Sequence, residues 1–162
     1  MKVTEVDRLT CPVARTLAVV GDTWTLLIVK ECFLGTRRFE DFADQLQAST
    51  RIVADRLAKL TAAGILEKSP YGRHANRYDY KLTEKGIDLY PVILSIVQWG
   101  DRWASDGGDR PLRLVDRETG RPVAPVLTGS GDAEPLDPRR TRPQMSSAMA
   151  AQRARLARGG EV

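Results

Sequence analysis

Histidine occurs once in this chain, at His74, and cysteine twice, at Cys11 and Cys32. One histidine rules out a two-histidine metal site, and two cysteines cannot alone build a disulfide framework or a zinc site. Aromatic residues make up only 6%, beside 42% hydrophobic and 28% charged residues, a balance ordinary for a soluble globular protein. Long hydrophobic runs are absent too: the apolar stretch at 25–29 is far below the roughly 20 residues a membrane span needs. No G-x-G-x-x-G, Walker-type loop or G-x-S-x-G occurs. The weak G-S-G-D at 129–132 lies in a proline-rich stretch with no helix after it, so no enzyme is expected. The opening M-K-V-T-E-V-D-R-L-T is short and mixed in charge, unlike a signal peptide, and the expected location is cytoplasmic. What is in excess is positive charge: 25 Lys and Arg against 21 Asp and Glu give +4, which favours an anionic partner without identifying one.

Residues 11–106 are dense in periodic apolar positions and hold three prolines, whereas six prolines fall between 111 and 143. This shift places a folded domain at 8–106, a small extension at 107–136 and an Arg/Ala-rich tail, expected to be disordered, at 137–162. Val13, Leu17 and Val20 mark a short helix opened by Pro12, and Asp22 is positioned to N-cap a second over 23–33. Phe39, Phe42 and Leu46 stripe a third. After a turn at Gln47 and Ala48, Ser49 caps a fourth, which buries Val53, Leu57 and Leu60 and ends at Gly64. The period then changes to an extended 65–69, a turn, and an alternating strand over 76–82, which together read as a hairpin. Thr83 is expected to cap one long last helix, with Pro91 as a kink. In the extension, a hairpin is expected to turn near 118–120. The fold class is therefore mainly α with a small β-hairpin wing: a winged helix-turn-helix with a short C-terminal extension.

In such folds the second helix of the turn lies in the major groove of DNA. Opposite the apolar stripe of the helix after Ser49 sit Arg51, Asp55, Ala58 and Ala62, with Ala54 close by. Small side chains there allow close approach to base edges. Arg51 suits guanine O6 and N7 or a phosphate, and Ser49, Thr50 and the free N–H groups of the first turn suit a phosphate. Arg37 and Arg38 precede a helix start, and Arg73, His74 and Arg77 surround the hairpin tip; all five are expected at DNA. Eight Lys and Arg against four acidic residues over 51–85 agree with a phosphate-facing surface.

The segments C-P-V-A-R-T-L-A-V-V-G-D-T-W-T-L-L-I-V-K-E, R-R-F-E-D-F, S-T-R-I-V-A-D-R-L, L-T-A-A-G-I-L-E-K, Y-K-L-T-E-K-G and W-G-D-R-W, in this order, resemble the HxlR-type winged-helix transcriptional regulators, relatives of the MarR group. The resemblance runs over residues 11–103. It implies a homodimer held by the first and last helices, binding an inverted-repeat operator on double-stranded DNA. A repressor released by a small aromatic or electrophilic effector is the expected form, with Trp24 and Trp99 as the candidate effector pocket. Two features depart from the family: the hairpin tip reads Y-G-R-H-A-N-R-Y where paired prolines are common, and 127–139 lacks the cysteine pairs of some long-tailed members. No metal and no cofactor is expected.

Two alternatives stand beside this reading. Cys11, ahead of Pro12 with Arg15 one turn on, is the candidate for redox or electrophile sensing. A winged-helix domain can also serve protein–protein association, since fold alone does not fix function.

Overall fold

The computed structural model describes residues 9–72, 77–104, 112, 115–122, 124–126, 128, 131, 146–148 and 150–152. Its elements in chain order are α1 (Pro12–Val20), α2 (Thr23–Leu34), α3 (Phe39–Leu46), α4 (Thr50–Ala62), β1 (Leu66–Pro70), β2 (Tyr78–Leu82), α5 (Glu84–Ile87) and α6 (Tyr90–Trp103). They fall into two units, Met1–Ile87 with Gln144–Val162, and Asp88–Pro143. The division lies inside the 8–106 span expected as one domain.

Local chemistry sets the helix ends of the first unit. Pro12 occupies the first turn of α1, where a missing N–H costs no bond. The Asp22 carboxylate accepts the Thr25 N–H at 3.0 Å, and the Ser49 hydroxyl oxygen accepts the Ile52 N–H at 3.3 Å, so each caps the helix that follows. At the other end of α4, Gly64 turns left-handed at φ 68°. Its N–H bonds the Thr61 carbonyl at 3.0 Å while the Ile65 N–H bonds that of Leu60 at 2.9 Å, which is the Schellman arrangement. Gln47 makes a similar left-handed bend, φ 49°, between α3 and α4. Its side-chain amide donates to the Asp44 carbonyl at 2.7 Å, offsetting part of the cost of that backbone.

The core forms where these elements meet. Helix α2, T-W-T-L-L-I-V-K-E-C-F-L, is apolar almost all round, and such a helix belongs inside. Ile28, Val29 and Cys32 from it are buried together with Phe42 of α3, Val53, Leu57 and Leu60 of α4, and Ile65 and Leu66. Phe42 also meets Tyr80 edge to face, centroids 6.4 Å apart.

The hairpin is antiparallel, with Leu66 opposite Leu82, Lys68 opposite Tyr80 and Pro70 opposite Tyr78. Its second strand also pairs on its other edge. Arg38 bridges Asp79, and the Tyr80 N–H donates to the Arg37 carbonyl at 2.8 Å. The wing is thus fastened to the residues just before α3.

One long helix from Thr83 is expected from the sequence; two are found. The Thr83 hydroxyl oxygen accepts the Gly86 N–H at 3.2 Å, so Thr83 does cap α5. A continuous helix would then need an N–H at residue 91 to reach the carbonyl of Ile87. Pro91 has none, and the ladder stops at Asp88 and Leu89 before α6 begins. Proline here breaks the helix rather than kinking it.

In the second unit, α6 buries Ile93 and Leu94 but exposes Val92, Ile96, Trp99 and Trp103. Steps of four, three and four residues put those four along one side of the helix. Further on, Val115 bridges Pro122 in an antiparallel turn. One oxygen of Asp116 accepts the Glu118 N–H at 3.2 Å and the Thr119 N–H and hydroxyl at 2.7 Å each. Back in the first unit, within the span expected as a tail, residues 147, 148 and 150–152 are helical. The Gln152 side-chain oxygen there accepts the Thr10 N–H at 2.8 Å and its hydroxyl at 2.7 Å. Among the described residues no helix is long and apolar enough to cross a membrane.

Candidate nucleic-acid interface

Helix α4 turns Val53, Leu57 and Leu60 into the core, which forces the opposite face outward. Thr50, Arg51, Ala54, Asp55, Ala58 and Ala62 are all exposed. Among the described residues nothing pairs with the Arg51 guanidinium, whereas Arg56 and Lys59, on the flank of the same helix, both reach Asp22. Asp55 pairs with Arg56. The first turn of α4 therefore offers a free cation beside the backbone N–H groups of a helix start, an arrangement suited to phosphate oxygens and base acceptors.

The small residues have a second consequence. Ala54, Ala58, Thr61 and Ala62 form one wall of a cleft of about 380 Å³, completed by Phe39, Lys68 and Tyr80. Lys68 and Tyr80 face each other across the hairpin, so both project from one side of the wing toward the helix. Reading α4 as a wheel identifies the alanines. Only the hairpin register adds Lys68 and Tyr80.

The arginines before α3 behave differently from each other. Arg37 is half-buried, and its guanidinium donates to the carbonyls of Cys32 at 2.7 Å and Thr36 at 3.0 Å, closing the end of α2. Arg38 stays exposed, stacked 4.7 Å from the Tyr71 ring centre and 3.8 Å from the Asp79 carboxylate. That Asp79 oxygen is buried and, among the described residues, accepts no hydrogen bond. Arg77 is exposed on the turn side of the hairpin, its carbonyl accepting the Tyr71 N–H at 3.0 Å. Arg73 and His74 lie outside the described residues.

Trp24 is half-buried in α2 of the first unit, and Trp99 is exposed on α6 of the second. A shallow cleft of about 580 Å³ runs along α6 beside Ser95, Gln98, Trp99, Asp101, Arg102 and Trp103. Cys11, half-buried, is a free thiol at the start of α1, and the neighbouring Arg15 spends its Nε on the Leu9 carbonyl at 3.0 Å. Burial pushes the Cys32 thiol up to about 12, so it stays protonated inside the core. Among the described residues no three His, Cys, Asp or Glu side chains gather as a metal site would require.

Residues 19–107 match the family described as HxlR-like helix-turn-helix. An uncharacterised HTH-type transcriptional regulator of Mycobacterium tuberculosis is 34% identical over 132 residues, spanning 82% of this chain and 84% of its own. The crystal structure of PA1607, described as a candidate transcription factor, is 36% identical with a TM-score of 0.78, covering 86% of this chain and 98% of that one. The redox regulator HypR in its reduced form is 30% identical with a TM-score of 0.53, covering 58% of this chain and 96% of its own.

Proposed function

Because the chain belongs to the HxlR-like helix-turn-helix family of DNA-binding transcriptional regulators, which are not enzymes, we propose that it is a cytoplasmic homodimeric repressor. It binds an inverted-repeat operator and leaves it when a small effector arrives. The single observation carrying the DNA-reading surface is the exposed Arg51 in the first turn of α4, unpaired among the described residues and above a face of small residues. Arg51, Thr50 and Ala54 read bases, with Asp55 at their side; Ser49, Arg38 and the wing residues Arg73, His74 and Arg77 hold phosphates. Arg37 supports the wing through its carbonyl and the end of α2 through its guanidinium, and so adds charge behind that surface. Two copies join through the apolar stripes of α6 (Val92, Ile96, Trp99, Trp103) and α1 (Val13, Leu17), which are exposed in one chain.

The test is Arg51→Ala against a duplex that the wild type enriches from a randomised pool. Specific binding should weaken by about 1–3 kcal/mol at matched salt, with a much smaller loss on a scrambled duplex. Equal protection of the duplex by both proteins would remove Arg51 from base reading.

A second reading rests on Cys11, a free thiol at a helix start, and on the similarity to a redox regulator. Here an electrophile or oxidant acting at Cys11 releases the DNA. If the switch is instead a ligand, wild type and Cys11→Ser respond alike to diamide or a quinone, and this is the expected outcome. Release of the wild type alone would make the thiol the switch.

A further inference from the structure

Helix α4 carries three cations, Arg51, Arg56 and Lys59, and the fold treats them unequally. Both oxygens of the Asp22 carboxylate, at the head of α2, are shared between two tasks. One accepts the Thr25 N–H at 3.0 Å and the Arg56 Nε at 2.7 Å; the other accepts the Thr25 hydroxyl and the Lys59 ammonium, the latter at 3.4 Å. Thr25 is fully buried, so the carboxylate is held at a fixed point of the α2 helix. Arg56 also pairs with Asp55, one turn beyond Arg51, which links Asp22 to the outward face of α4.

We infer that Asp22 is a specificity-determining residue acting through Arg56 and Lys59: it fixes the pose of α4 and withholds two of that helix's three cations from DNA phosphates. The inference rests on the reading of α4 as the base-reading helix. Its physical basis is that phosphate contacts add affinity for every sequence alike, whereas base contacts discriminate. With Arg56 and Lys59 neutralised, the attraction of α4 for DNA is concentrated at Arg51, where bases are read. An anion held at the helix flank also disfavours a rotation that would carry that flank toward the phosphates. The carboxylate is ionised at any pH used for DNA binding. Partial burial alone would raise its pKa, but the Thr25 hydroxyl and N–H and the Arg56 guanidinium outweigh that and hold it down to about 2.

Substituting Asp22→Asn or Asp22→Ser keeps a side-chain oxygen for the Thr25 N–H while removing the charge. Binding is measured over a range of potassium chloride concentrations, on a duplex enriched by the wild type and on a scrambled duplex of the same composition. For the Asn variant, the slope of log K against log salt on the scrambled duplex should steepen by about 1 to 2, since each further phosphate neutralised adds about 0.9. The ratio of enriched to scrambled binding should fall by about tenfold. Adding Arg56→Gln and Lys59→Gln to Asp22→Asn should restore the wild-type slope. The same two changes with Asp22 intact should leave that slope unaltered, an arm that needs no Asp22 variant to fold. A role confined to capping α2 would lower stability but leave slope and ratio alone, and that result overturns the inference. So does a shallower slope when Arg56 and Lys59 are replaced with Asp22 in place. If the wild type enriches no duplex, the reading of α4 falls, while the slopes on scrambled DNA still decide whether Arg56 and Lys59 are withheld.

Discussion

Asp22 also marks the residue scale of stability. Its ordinary value is 3.8 and its folded value about 2, so as pH falls the unfolded chain takes up the proton first. The stabilisation is therefore complete above about pH 4 and is lost as pH approaches about 2. At neutral pH this amounts to something on the order of 2 kcal/mol for a side chain 28% exposed. Urea unfolding of wild type and Asp22→Asn should show a gap of that order near neutrality, closing as pH drops through this window. A gap constant down to pH ~2 would mean that the folded carboxylate is not held in the charged form. Arg51 differs in kind: exposed and unpaired among the described residues, it is available for binding and adds little to folding.

At the scale of elements, the joints matter more than the helices themselves. The α5 helix sits against the end of α4 through Gly86, where an added Cβ would lie 2.3 Å from the Ile65 carbonyl oxygen. That obstacle is backbone, and the same carbonyl accepts the Thr83 N–H at 3.0 Å, so it cannot swing aside freely. Gly86→Ala should cost about 1–3 kcal/mol of stability in denaturant unfolding, with overpacking as the cause. A neutral substitution would show that α5 can shift without loss. Fastening of β2 to Arg37 and Arg38 makes the wing part of the same frame as α3. The cleft between the wing and α4 accordingly has three fixed sides.

For the whole molecule, the decisive feature is apolar surface left uncovered. Trp99 and Trp103 of α6 are 62% and 64% exposed, with Ile96 and Val92 in the same row, and apolar rows of this kind mark association surfaces. In the proposed dimer, Ile96→Glu places a charge in that row without touching the buried Ile93 or Leu94. Sedimentation at micromolar concentration should find the wild type dimeric and the variant at least about tenfold weaker in association. Operator affinity should fall in parallel, because two half-sites are then no longer bound as one unit. A variant as dimeric as the wild type would move the interface elsewhere.

The sequence by itself determined what short-range chemistry controls. Asp22 and Ser49 as caps, Gly64 as a stop, the alternation across Tyr78–Leu82 and the alanine face of α4 all involve groups within a few residues of each other. Pro91 was visible too, but whether it kinks or ends a helix depends on whether the missing bond is replaced, which residue spacing does not tell. Only the tertiary structure decided the fates of individual cations. Arg56 and Lys59 look as solvated as Arg51 on a wheel, yet they meet a carboxylate 34 and 37 residues earlier in the chain. Arg37 and Arg38 are neighbours, but the first turns back on the end of α2 while the second stacks on Tyr71. The reason is one of range: periodicity fixes which side of a helix a charge occupies, but its partner is set by whichever element packs against that side.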